Sequence, residues 1–305
     1  MKIRSYIKEY LEYLEVVKNK SPKTIENYTH YLKRFQEFIK DDIDPKDITL
    51  KIVQNFRLHL NRLIDDKGGK LGIKTQNYHI IALRAFLKYL IRHDIKTLAP
   101  EKIELASTGG RTVEVLSREE LDRLFKAVDR SKNTGLRDYA IIETLYSTGL
   151  RVSELANLNI DQIDLKRREF WVRGKGRKPR IVFLSNDAAD SISKYLKSRS
   201  DNFKPVFTNT GRGRLKNEDV LDDEKARLST VSIEKIVRST ALRGGIIKKV
   251  TPHTLRHSYA TQLLINGADI RSVQEMLGHS SITTTQVYTH VTDKKLREIH
   301  DKFHK

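Results

Sequence analysis

Glu169-Phe170-Trp171-Val172-Arg173, Gly174-Lys175-Gly176-Arg177-Lys178-Pro179 and Arg180-Ile181-Val182-Phe183-Leu184 follow one another without a break. Two runs of aromatic and β-branched residues with a period of two flank a tip rich in glycine and lysine, which is the pattern of a β-hairpin. On either side the apolar period returns to that of a helix. A hairpin set in a helical chain gives the expected fold class, mainly α with a small β-sheet.

Upstream, residues 1–97 read as helices only. Ile3, Ile7, Leu11, Leu14 and Val17 form one helical stripe. Ser21-Pro22 supplies an N-cap and a first-turn proline for a second helix through Tyr28, Tyr31, Leu32, Phe35 and Phe38. A third helix spans about 50–64 and stops at Gly68-Gly69, and a fourth spans about 74–93. The buried side of the fourth is predicted to be Ile80, Ile81, Leu83, Phe86, Leu87, Leu90 and Ile91. Four such helices make an all-α bundle. Residues 98–114, with Pro100 and Gly109-Gly110, read as a linker. Extended, roughly 14 of these residues reach about 45 Å. That is enough for two domains joined by it to take hold of a large partner from opposite sides.

Ser117-Arg118-Glu119-Glu120 is a capping box that opens the second domain, residues 115–305. Around the hairpin this α+β domain reads as helices at about 118–130, 136–147, 187–198, 231–243, 253–266, 269–277, 281–290 and 293–303. Residues 210–228 read as an exposed polar loop. There is no internal repeat.

Lys and Arg number 58 against 39 Asp and Glu, a formal charge of +19. Residues 1–100 hold 20 basic and 12 acidic residues, so the excess is shared by both domains and is not a detachable tail. A polyanion gripped by both is the natural partner, with a lysine-rich solvated surface as the plain alternative. The absence of cysteine excludes disulfides, thiolate metal sites and a Cys nucleophile. No apolar run approaches the roughly 20 residues of a membrane span, and no signal-peptide core follows Met1. No membrane association and a cytoplasmic location are expected.

Chemistry-bearing residues concentrate in the second domain. Arg151 and Glu154 stand three apart just after Gly149. The guanidinium suits two phosphate oxygens and Glu154 can orient it, although a surface ion pair has the same spacing. Lys175 lies between two glycines at the hairpin tip, either a far-reaching proton donor or one cation of a solvated turn. His253 and Arg256 stand one helical turn apart, flanked by Leu255, Tyr259, Leu263 and Leu264. His279 follows a helix-ending glycine, and Tyr288 sits among threonines. A histidine on an apolar helix is often structural, and one tyrosine of 12 identifies nothing alone. Metal binding by His253, His279 and His290 has no carboxylate or cysteine spacing behind it.

Arg151, Lys175, His253-x-x-Arg256, His279 and Tyr288, in this order and spacing, resemble the tyrosine recombinases of the phage-integrase family. Leu277-Gly278-His279-Ser280-Ser281-Ile282-Thr283-Thr284-Thr285-Gln286-Val287-Tyr288-Thr289-His290-Val291 is similar to the Xer branch. The likeness covers nearly the whole chain, because the amino-terminal helices resemble that family's SAM-like core-binding domain. It implies that Tyr288 attacks a phosphate of double-stranded DNA at a specific recombination site, forming a 3′-phosphotyrosine. It further implies that Arg151, Arg256 and His279 stabilise the transition state and that Lys175 protonates the leaving oxygen. His253 assists the nucleophile's proton and Glu154 supports the site. No metal and no other cofactor is implied. The expected assembly is a homo-tetramer on two sites, or a hetero-tetramer with a paralogue, passing through a Holliday junction, with helix 293–303 on a neighbouring protomer. The expected task is resolution of chromosome or plasmid multimers. The alternatives are an integrase or excisionase of a phage or mobile element, and a catalytically silent DNA-binding protein of the same fold.

Overall fold

The computed structural model describes residues 2–64, 68–109, 114–173, 179–209 and 223–278. The chain forms two compact units, Met1–Gly110 and Arg111–Lys305.

In the first unit, α1 (Ile3–Val16), α2 (Pro22–Ile39) and α3 (Leu50–Arg62) pack around α4 (Ile73–Arg92). Local chemistry sets their starts. Ser21 accepts the Thr24 N–H at the head of α2, and Thr49 accepts the Ile52 N–H at the head of α3. The core is aromatic at its centre, where Phe35, Phe56 and Phe86 are fully buried and the Tyr10 ring lies 5.6 Å from that of Phe86. Two expected core residues are not in it: Ile81 is 39 % exposed and Ile91 is 44 % exposed. Each follows a buried neighbour, Ile80 or Leu90, and one helical step of about 100° carries it off the packed stripe. Asn77, His79 and Tyr89 are buried instead.

The stretch 98–114, read from sequence as a linker, is in part packed on this unit. Pro100–Lys102 makes a turn of 3₁₀-helix, Ile103 is buried in the helical core, and Ala106 exchanges two hydrogen bonds with the Asn77 side chain, at 2.8 and 3.1 Å.

The second unit opens with α5 (Arg118–Lys126), headed by the expected Ser117/Glu120 capping box. The helix stops short of residue 130. Asp129 instead accepts hydrogen bonds from the Ser131 N–H and hydroxyl, a turn that competes with helical continuation. α6 (Asn133–Thr148) is the unit's axis; its Ala140, Ile141, Ile142 and Leu145 are fully buried, and α8 (Asn186–Ser198), α10 (Thr230–Arg243) and α11 (Pro252–Ile265) pack against it. The short α7 (Val152–Ala156) follows α6. The hairpin pairs β2 (Glu169–Arg173) with β3 (Pro179–Phe183), and a two-residue β1 (Ile163–Asp164) adds a third antiparallel strand in the order β1-β2-β3. α12 (Ile270–Leu277) closes the described part and shares with α11 a small core of Ala260, Leu264, Val273 and Leu277.

The reading of 210–228 as exposed loop is corrected at its end. Asp223–Ala226 is a helical turn, α9, and Ala226 and Leu228 are buried. Arg227 donates to the Ala156 carbonyl at 3.0 Å and to the Asn159 side chain at 2.9 Å, so packing draws a charged segment inward. Residues 210–222 and the expected helices 281–290 and 293–303 lie outside the described residues.

Phe86 anchors the first core. Phe86→Ala is expected to cost about 3–5 kcal/mol, read as a lower urea midpoint for the unfolding of the first unit by far-ultraviolet circular dichroism.

Candidate active site

Two helices end on left-handed glycines, and the carbonyls they expose are met by arginines. Gly149 (φ 60°) ends α6 and Gly278 (φ 63°) ends α12. A Cβ at Gly149 would stand 2.6 Å from a Tyr259 ring carbon and 2.8 Å from a Leu277 methyl; one at Gly278 would stand 3.0 Å from Arg180 Cδ. A side chain at Gly149 would force its neighbours to shift, one at Gly278 would press on Arg180, and the left-handed backbone disfavours one at either turn.

Arg256 lies on α11, which Thr251 caps by accepting the Thr254 N–H. At 3 % exposure it is a buried cation. It donates from one terminal nitrogen to the Gly149 carbonyl and from the other to the Leu277 carbonyl, at 2.6 Å. Its guanidinium thus joins the ends of α6 and α12.

Arg151 stands two residues after Gly149, at the head of α7. Its backbone N–H donates to Glu154 Oε2 at 2.9 Å and its Nη1 to Glu154 Oε1 at 2.8 Å. Its Nη2 donates to the Gly278 carbonyl at 3.1 Å. Glu154 is no surface partner: its side chain is 7 % exposed and is gripped from the other side by Arg180. Arg180 donates to both carboxylate oxygens, at 2.9 and 2.8 Å, and its Nε donates to the Met276 carbonyl at 3.1 Å. Burial pushes the Glu154 carboxyl up, but the Arg180 fork, the Arg151 N–H and the Arg151 guanidinium outweigh it and hold the group at about 2, below the ordinary 4.5. Arg151 and Arg180 share the Glu154 carboxylate, and Arg256 adds a third guanidinium bonded to the two helix-end carbonyls, so the described part of the cluster keeps a positive excess suited to an anion.

His253 stands one turn before Arg256, but at a different depth. It is exposed, with the His257 ring 6.4 Å away, whereas Arg256 is enclosed. Arg151, Glu154 and Arg256 are thus drawn together around two turns, with His253 at the solvent edge of the same helix. Lys175, His279 and Tyr288 lie outside the described residues.

Arg180 is a functional residue that the sequence motifs do not single out. Its signal was present in the hairpin register. Arg180 is paired with Val172 and Val182 with Phe170, and residues directly opposite in an antiparallel pair point to the same face. Phe170, Val172 and Val182 are buried, so Arg180 occupies an inward position of an otherwise apolar face. A cation there demands a buried anion, and Glu154 is that anion.

The phage integrase family profile matches residues 114–295, and the N-terminal SAM-like domain of phage integrases matches residues 7–94. Tyrosine recombinase XerD of Oceanobacillus iheyensis is 35 % identical over 98 % of this chain and 97 % of its own length. The chain belongs to the phage integrase family, the tyrosine recombinases. It is a DNA strand-transferring enzyme of site-specific recombination. Tyrosine recombinase XerC of the same organism is 36 % identical to this recombinase, over 98 % of this chain and 95 % of that protein. The fold is shared with XerH site-specific recombinase bound to palindromic difH substrate, at a TM-score of 0.71 and 22 % identity, covering 98 % of this chain and 84 % of that one. Among the described residues no helix is long and apolar enough to cross a membrane.

The Glu154 carboxyl is depressed on folding, so its contribution to stability is complete above the unfolded value of 4.5 and is lost as pH falls toward about 2. The stability advantage of the wild type over Glu154→Gln, measured by urea unfolding, is expected to shrink steadily as pH is lowered from about 5 to about 3.

Proposed function

We propose that this recombinase is an Xer-type enzyme that resolves chromosome or plasmid multimers through a 3′-phosphotyrosine intermediate. The observation that carries the reading is the Arg151–Glu154–Arg256 cluster, set within a chain alike over nearly its full length to two Xer proteins.

The chemistry follows from the side chains. The Tyr288 phenol attacks a scissile phosphorus, and the bond to the 5′-oxygen breaks. The phenolic proton passes toward His253, whose exposed place at the head of α11 suits a group that meets substrate. Lys175 gives the leaving 5′-oxygen its proton. Arg151 and Arg256, with His279, take up the negative charge that grows on the non-bridging oxygens, the work a divalent cation does at many phosphoryl-transfer sites. Attack by a 5′-hydroxyl of the exchanged strand reverses these steps, forms a Holliday junction and needs no ATP, because the phosphotyrosine conserves the phosphodiester's energy.

The substrate is double-stranded DNA with a specific recombination site, and the basic excess of both units favours it. The enzyme works as a tetramer on two sites. Its likeness is 35 % to XerD and 36 % to XerC of one organism, so the homo-tetramer is the reading taken first and a hetero-tetramer with a paralogue is its alternative. Segment 293–303 carries Leu296, Ile299 and Phe303 at helical spacing and reaches a neighbouring protomer. A DNA-acting enzyme of this kind works in the cytoplasm.

A nicked suicide duplex carrying the sequence that the protein selects from genomic fragments tests the reading. Incubated in EDTA, the wild type is expected to form a covalent adduct on a denaturing gel, and Tyr288→Phe to bind the duplex without forming one. Tight binding by the wild type with no adduct counts against the enzyme reading, and an adduct with Tyr288→Phe removes Tyr288 as the nucleophile. In the same assay Lys175→Ala is expected to lose about 10²–10⁴-fold in cleavage. It should recover on a duplex whose leaving 5′-oxygen is sulfur, a group that departs without a proton. Failure to recover takes the acid's role away from Lys175.

A further inference from the structure

We infer that Arg180 is a positioning residue for strand cleavage: it holds the far side of Glu154 so that Arg151 remains cationic towards the scissile phosphate. The inference rests on the recombinase reading of this site and adds a residue to it.

The argument begins with charge. Arg151 and Glu154 alone make a closed pair, one cation against one anion, and a guanidinium neutralised by its own neighbour is a poor ligand for a phosphodiester. Arg180 changes that balance. Its two terminal nitrogens take both Glu154 oxygens, at 2.9 and 2.8 Å, whereas the Arg151 side chain takes one, at 2.8 Å. The larger share of the carboxylate's charge is therefore committed to Arg180, which at 10 % side-chain exposure lies deeper than Arg151 at 27 %. The deep guanidinium carries the structural pairing, and the shallower one is left with charge to offer.

Geometry supplies the second half. The remaining Arg180 donor, Nε, holds the Met276 carbonyl at 3.1 Å, in the last turn of α12. Two residues later Gly278 gives its carbonyl to Arg151. The Arg180 side chain lies against Gly278, where an added Cβ would stand 3.0 Å from its Cδ. A single side chain from the start of β3 thus fixes the carboxylate that orients Arg151 and the turn that Arg151 touches. An arginine is required for this: lysine offers no planar fork and no third donor at a fixed angle.

The test uses the full-length protein on the nicked suicide duplex, with duplex affinity and thermal midpoint measured alongside. Arg180→Met is expected to slow adduct formation by about 10- to 100-fold while duplex affinity stays within about threefold. Arg180→Lys should fall between it and the wild type. The decisive variant is Arg180→Met with Glu154→Gln. With the carboxylate's charge removed, Arg151 no longer needs a competitor for it, and at least about fivefold of the lost rate should return. A merely structural role for Arg180 makes the double variant no faster than Arg180→Met, and that result overturns the inference. Full rescue of Arg180→Met by a 5′-thiol leaving group also overturns it, because the defect would then lie in protonating the leaving oxygen. Cleavage by Arg180→Met within threefold of the wild type overturns it as well. Absence of any adduct with the wild type is a different result, which removes the recombinase reading itself.

Discussion

One carboxylate, Glu154, is shared between two guanidiniums, and the order of the candidate site depends on that sharing. Arg151 reaches it from the head of α7 and Arg180 from β3. A buried anion with two cationic partners stays ionised, and each partner is fixed by a charge that has nowhere else to go. The remaining donors of the two arginines fall on carbonyls at the end of α12, so the ion cluster also decides where that helix stops.

Arg256 completes the arrangement from a third direction. Fully enclosed, it spans the Gly149 and Leu277 carbonyls and so bonds the end of α6 to the end of α12. Helix ends leave carbonyls without partners inside the helix, and a protein interior cannot leave them bare. Three arginines answer that need and gather positive charge at one place in doing so. In the proposed mechanism the atoms that close the helix ends also meet the phosphodiester.

Much of the fold was legible in the sequence. The four helices of the first unit, the Ser117 capping box and the β-hairpin all rest on local rules of capping and periodicity, and each is found close to where those rules put it. The misses have local causes too. Ile81 and Ile91 are apolar and look like core, yet adjacent residues on a helix face different ways and both are exposed. Residues 223–228 looked like loop because they are charged, and packing of Ala226 and Leu228 overrode composition. The linker reading took Pro100 and two glycines as signs of free chain, whereas Ile103 found a hydrophobic pocket and Ala106 an amide partner in Asn77.

By itself, the sequence determined the kind of chemistry: a basic chain without cysteine, with arginine, lysine, histidine and tyrosine in the order of a tyrosine recombinase. Order along the chain is enough for that, because a family's chemistry is written in residue type and spacing. Tertiary structure alone decided which charges meet. Nothing local couples Glu154 to Arg180, 26 residues away, or Arg256 to Gly149, 107 residues away. Nor does the helical spacing of His253 and Arg256 reveal that one faces solvent and the other is enclosed. Depth and long-range pairing are properties of the packed core, since the cost of burying a charge exists only once the surroundings that exclude water are in place.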